Sequence, residues 1–216
     1  MRGKLNLLFD WRVMGVTAYF PLLVILALFG YISLRKDFSN VWNSLVPALE
    51  FTLPVFASWW SVFLFQDVLE EPGSETLFSY PITRRKLGVT RVAIFYAVYL
   101  ILVLSLLLVL EWLSATSVFL PLAIQYGSES FFFAGLGFLA MVLTLDSGWA
   151  LAVVLVYTST QLLTGGQVLP LLNVFLLNKR VLPVSELLAP ALINILAGAV
   201  LWGLAQYLFK TFRRFK

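Results

Sequence analysis

Apolar residues in this chain run in long unbroken blocks, without the strict alternation that marks half-buried strands. A hydrocarbon layer of about 30 Å takes about 20 helical residues to cross, and several blocks approach or reach that length. Val13–Leu34 carries no charge and predicts the first span. Residues 46–66 predict the second, with Glu50 one turn inside its start and Pro54 set to kink it. Val92–Leu110, bounded by Arg91 and Glu111, predicts the third, in a helix expected over 84–111 with Thr83 as its N-cap. Shorter blocks over 131–145 and 147–165 predict a fourth and a fifth, and 187–209 predicts a sixth.

Three stretches fit less simply. Residues 112–128 are apolar yet hold Pro121 and Gly127, which leaves an outer loop, an interfacial helix or an extension of the fourth span as readings. Gly165-Gly166 interrupts an uncharged run from Ser147 to Asn178. The remainder, 167–178, is too short to cross, so a re-entrant or interfacial hairpin is expected, with protein covering its backbone polar groups. Ahead of the first span, Leu5–Arg12 mixes apolar bulk with charge, as an amphipathic elbow at the inner surface or as a frayed start of the span. The expected fold is an all-α membrane protein, one domain over 1–216, with six spans, an N-terminal elbow and a re-entrant segment between spans 5 and 6.

Composition strengthens the membrane assignment. The chain of 216 residues is 61% hydrophobic and 12% charged, about half the ~25% charged content of soluble domains, and its mean hydropathy is +0.93. The net charge of +4 reads as topology and lipid contact, not nucleic-acid binding. With both termini cytoplasmic, the inner side collects Arg2, Lys4, Arg12, Arg84, Arg85, Lys86, Arg91, Lys210, Arg213, Arg214 and Lys216. The outer side then receives only Arg35, Lys36, Lys179 and Arg180. That bias favours an even number of spans in the cell membrane. It also sets Trp11 and Trp149 near the inner interface and Trp42 and Trp112 near the outer one. The apolar run from Val13 lacks a small-x-small cleavage site and is expected to remain as the first span.

Missing residue types exclude much chemistry. The chain has no Cys and no His, which removes disulfides, thiolate catalysis, His-ligated metals and His acid–base work. Asp146 stands alone near an interface, so a membrane protease built on two aspartates does not fit. No enzyme activity, metal or cofactor is expected on this chain.

Several residues are candidates for other roles. Asp146 is expected to cap the fifth helix. Glu50, Glu111, Glu129 and Glu186 fall at outer span ends, either as an acidic vestibule or in interfacial water and paired with the outer basic residues. Trp59, Trp60 and Phe63, with Phe132 and Phe138, are candidates for an aromatic pathway taking apolar or amphipathic cargo; ordinary packing is the commoner use of such residues. Gly135, Gly137, Ala197, Gly198 and Ala199 would permit close helix contact.

The most distinctive stretch is the polar island Glu71-Pro-Gly-Ser-Glu-Thr-Leu-Phe-Ser-Tyr-Pro-Ile-Thr-Arg-Arg-Lys86 between the second and third spans. Ser74 can cap a short helix with Glu75 in its first turn, and Pro81 stops it. Glu70, Glu71 and Glu75 on one part and Arg84, Arg85 and Lys86 on the other give a two-signed surface suited to docking a soluble protein.

The order Gly73-Ser74-Glu75, Thr76-Leu77, Ser79 and Pro81-Ile82-Thr83-Arg84 resembles the loop after the second span in ABC type-2 permeases. The spacing from glycine to glutamate is one residue shorter here than in some members. Six spans, an inner elbow and a re-entrant region before the last span are also similar to that family. The resemblance implies a coupling helix seated in a separate cytosolic ABC ATPase, with Glu70, Glu71, Gly73, Glu75, Thr76, Leu77, Pro81, Thr83, Arg84 and Arg85 at the contact. It implies a second permease subunit, in a homo- or heterodimer, with ATP and Mg on the partner. The chain itself has no Gly-x-x-x-x-Gly-Lys-Ser/Thr phosphate loop, consistent with a motor on another subunit. The implied function is export of a hydrophobic or amphipathic substrate such as a drug, lipid or peptide. A membrane sensor or immunity subunit on the same fold is the alternative.

Overall fold

A computed structural model describes residues 7–34, 42–70, 85–168, 173–178 and 180–211. Among the described residues every regular element is helical. The order is α1 (Leu7–Met14), a 3-10 turn (Gly15–Tyr19), α2 (Phe20–Ser33), α3 (Trp42–Phe63), α4 (Arg91–Ser114), α5 (Phe119–Thr144), α6 (Ser147–Thr164) and α7 (Val184–Thr211). A π-helical turn over Gln66–Glu70 follows α3, and a segment over Lys86–Thr90 kinked at Gly88 precedes α4. Six helical stretches, counting Leu7–Ser33 as one, are long and apolar enough to cross a membrane. Large apolar side chains such as Leu26, Ile101, Leu155 and Leu196 point outward from α2, α4, α6 and α7. An apolar exterior of this kind is the arrangement of a multi-pass membrane protein.

The first stretch is broken where the sequence allows it. Gly15 takes φ +57°, a left-handed conformation that strains a residue bearing a Cβ. α1 and α2 are therefore separate helices. The break is held by neighbouring tryptophans of α3. Trp59 Nε1 donates to the Thr17 carbonyl and Trp60 Nε1 to the Ala18 carbonyl, both at 2.9 Å. Each indole N–H thus finds the partner that burial demands.

α3 and α5 form the centre of the bundle. Some 61% and 67% of their spanning windows are buried, against 22–33% for the other four stretches. Three of the five expected small residues make close helix contacts. A Cβ on Gly137 would fall 2.7 Å from the Ser58 carbonyl of α3, and one on Gly198 would fall 2.7 Å from the Phe131 ring of α5. Gly135 likewise lies against Trp202, whereas Ala199 is exposed. α3 contains Pro47 and Pro54, each of which removes a backbone donor. Two hydroxyls stitch neighbouring helices to the carbonyls just before those prolines. Tyr126 of α5 donates to Val46 at 2.9 Å, and Tyr99 of α4 donates to Leu53.

The open reading of 112–128 resolves into two helices. Trp112–Ser114 finish α4, and 119–128 form the first turns of α5, which runs on to Thr144. Pro121 falls in the first turn of α5, where a missing N–H costs nothing. Glu111 Oε2 accepts the N–H groups of Val118 and Phe119 and so caps α5 from the end of α4. As expected, Asp146 caps α6, its carboxylate accepting the Trp149 N–H at 2.8 Å.

Residues 173–178 are irregular, with Val174 and Phe175 buried and the Val174 carbonyl accepting from Asn194 Nδ2 at 3.3 Å. Side chains of Glu50 and Asn194 satisfy three backbone polar groups of this segment, as non-helical chain in an apolar setting needs. One expectation is overturned. Glu50 and Glu129 are 0% exposed, so neither lies in interfacial water nor lines an open vestibule. Residues 173–178 close over Glu50, and the packing of α3 on α5 encloses both side chains, which distance from a span end cannot reveal.

Candidate functional site at the roots of the 71–84 loop

Most of the expected coupling contact lies outside the described residues: Glu71, Gly73, Glu75, Thr76, Leu77, Pro81, Thr83 and Arg84. The loop's two roots, ending at Glu70 and resuming at Arg85, are described. The first root is wound as a π turn and the second is kinked at Gly88 (φ −90°, ψ −111°), and both make side-chain contacts that run into other helices.

The deepest contact is ionic. Arg91, at the start of α4 and 3% exposed, sends Nη2 to Asp10 Oδ1 of α1 at 2.9 Å. The same nitrogen lies 3.7 Å from Asp67 Oδ2 in the first root. Its guanidinium carbon also sits 5.9 Å from the centre of the Phe65 ring, within cation–π range. One cation therefore joins α1, the turn after α3 and the start of α4. Phe65 extends the junction, stacking on Phe138 of α5 at 4.8 Å and meeting Phe209 of α7 edge-on at 5.6 Å.

Two further bonds tie the roots to α6 and α7. Glu70 Oε2 accepts the Ser147 N–H at 3.1 Å, adding a second carboxylate to an α6 N-terminus already capped by Asp146. On the second root, the Val89 N–H donates to Gln206 Oε1 of α7 at 2.7 Å. That approach requires Gly88, since a Cβ there would come 2.3 Å from the same oxygen. Arg85 is exposed, and its carbonyl accepts from Thr90 Oγ1 at 3.1 Å.

The loop therefore hangs from roots connected to α1, α5, α6 and α7. A displacement of the roots cannot stay local, because buried ionic and packed aromatic contacts resist independent movement. Sequence reasoning found Glu70 and Arg85 but missed Asp10, Asp67, Gln206 and the pairing role of Arg91. The available signal was charge of both signs on the loop-proximal edges of apolar blocks, where an unpaired ion would be costly.

The five candidate pathway residues do not form one wall. Trp60 packs among Trp11, Phe95 and Tyr99, Phe132 beside Phe133 and Tyr157, and Phe138 against Phe65 and Phe209. Only Trp59 and Phe63 are neighbours, with ring centres 5.0 Å apart. Trp59 also edges a groove of about 180 Å³ between α3 and α6, lined by Phe51, Val55, Phe56, Val154 and Leu155. Among the described residues no cluster of three or more acidic side chains could hold a metal ion. No protein-family model, curated protein or solved structure matches the chain.

Proposed function

We propose that the chain is the transmembrane permease subunit of an ATP-driven ABC exporter, working with a separate cytosolic ATPase. The observation that carries this reading is the wiring of the 71–84 loop. Both roots enter buried contacts with helices distributed across the bundle. The loop's sequence order supports the same reading. In this proposal both termini are cytoplasmic, 71–84 holds a coupling helix, α1 is an interfacial elbow, and 167–178 is re-entrant. ATP-driven closure of the partner pushes the loop, and the Arg91 junction passes the push to α1, α3 and α4 together.

The cargo would cross between this chain and a second permease subunit. A hydrophobic or amphipathic compound suits the apolar groove beside Trp59, whereas Trp60, Phe132 and Phe138 would serve packing in this conformation. Purification of the tagged chain from its native membrane should bring Mg-dependent ATP hydrolysis with it, in a fixed stoichiometry. Absence of that activity would reject the reading. The alternative, a sensor or immunity subunit, uses the same loop and partner but moves no cargo. ATP-dependent flux in reconstituted vesicles separates the two.

A further inference from the structure

The opposite end of the bundle holds two carboxyl groups that the coupling reading does not use. Glu50 of α3 and Glu129 of α5 are both fully buried. They stand side by side, with the Gln125 side chain next to both. Gln125 and Glu129 are four residues apart on α5, so they share a face.

Their surroundings treat them differently. Glu50 Oε1 accepts two successive backbone N–H groups, from Leu176 and, at 3.0 Å, from Leu177. Leu177 takes φ +50°, a left-handed conformation that costs a leucine about 1–2 kcal/mol. Successive N–H groups converging in this way make a nest for an anion, and the contact with Glu50 offsets the strain. Glu129 has no such donors. Beyond the approach of the two carboxyl groups to one another and to Gln125, neither of its oxygens completes a hydrogen bond of normal geometry, nor does Glu50 Oε2.

Gln125 gives an independent sign of an occupant. It is uncharged, 3% exposed and directed at both carboxyl groups, yet its Nε2 completes no hydrogen bond of normal geometry with either. Three nearby polar side chains are engaged elsewhere: Tyr126 with the Val46 carbonyl, Asn194 with the Val174 carbonyl, and Tyr157 with Gln161 and Val174. No lysine or arginine among the described residues forms an ion pair with either carboxyl group. Two adjacent negative charges in a dry interior cost several kcal/mol without a counter-charge. The nest offsets one of them, which leaves a demand for a single positive charge.

We propose that Glu50, Glu129 and Gln125 form a site for one monovalent cation, a proton or an alkali-metal ion, held between the two carboxyl groups beneath residues 173–178. The donors are hard oxygens, and the amide of Gln125 can turn to present either its oxygen or its nitrogen. Two carboxyl groups are a thin set for a divalent ion, which takes six or more oxygens. The occupied site keeps α3 against α5 and Glu50 in its nest, so the cation also holds 173–178 in place. This inference is independent of the ATP-coupled reading.

The test uses the purified full chain in lipid nanodiscs at fixed ionic strength. Thermal unfolding is followed as sodium chloride replaces choline chloride, and infrared spectra in water and deuterated water are searched for a protonated-carboxyl carbonyl band. A saturable rise in midpoint with sodium identifies an alkali-metal ion. A carboxylic-acid band at neutral pH without sodium dependence identifies a proton. Either signal should disappear in Glu129→Gln. If that variant does not fold, Gln125→Leu should weaken the sodium response or shift the band. Wild-type protein with neither signal overturns the proposal. So does a signal unchanged in these variants.

Discussion

Arg91 and Asp10, 81 positions apart in sequence, meet at 2.9 Å in the interior of the bundle, with Asp67 as a third member of the group. The pair is enclosed, so its energetics differ from those of a surface salt bridge. Removing one partner strands the others, which costs about 3–5 kcal/mol in buried pairs. Arg91→Met should therefore lower stability by about that amount in a denaturant titration of the purified protein. Asp10→Asn should cost less, because Asp67 remains to meet the guanidinium. A loss below about 1 kcal/mol for Arg91→Met would show that the group behaves as an exposed pair.

Two close glycine contacts should respond differently to a methyl group. At Gly137 the added Cβ meets the Ser58 backbone carbonyl at 2.7 Å, and a helix backbone cannot step aside alone. Gly137→Ala should cost about 1–3 kcal/mol or more by forcing α3 from α5. At Gly88 the obstacle is the tip of Gln206, which can swing away at the price of its bond to Val89. Gly88→Ala should cost about 1 kcal/mol, and Gln206→Ala should add little in the double variant. Equal penalties at the two positions, read by thermal unfolding, would contradict this distinction.

Tyr99 and Tyr126 offer a test of the cross-helix stitching. Each hydroxyl meets a carbonyl next to a proline in α3. Tyr99→Phe and Tyr126→Phe should each cost about 0.5–2 kcal/mol, the range for interhelical hydrogen bonds in membranes. The effects should add, since the two acceptors are two turns apart on α3. Unfolding midpoints unchanged in both variants would show that water or another donor replaces the hydroxyls.

The six-helix layout was legible because crossing length is a one-dimensional property, written in runs such as 13–34 and 187–209. The cap at Asp146 and the close contacts at Gly137 and Gly198 were legible for a similar reason, since local spacing and small side chains carry them. Residues 112–128 stayed ambiguous because proline favours a loop as readily as a first helical turn, and only the reach of Glu111 to Val118 and Phe119 decides between them. The burial of Glu50 was illegible, because it depends on a segment some 126 positions away folding across it. The Arg91 junction was hidden likewise. Its charges look like ordinary helix-end anchors until the fold brings three chain segments together.

The central claim is that the loop between Glu70 and Arg85 is the handle by which a partner ATPase moves this bundle. The most direct measurement is co-purification of the ATPase with the tagged chain, together with ATP turnover of the isolated complex, for wild type and the double variant Glu75→Lys, Arg84→Glu. The predicted result is loss of both the bound ATPase and its turnover, with the variant's own thermal unfolding unchanged. Binding and turnover equal to wild type in that double variant would contradict the claim.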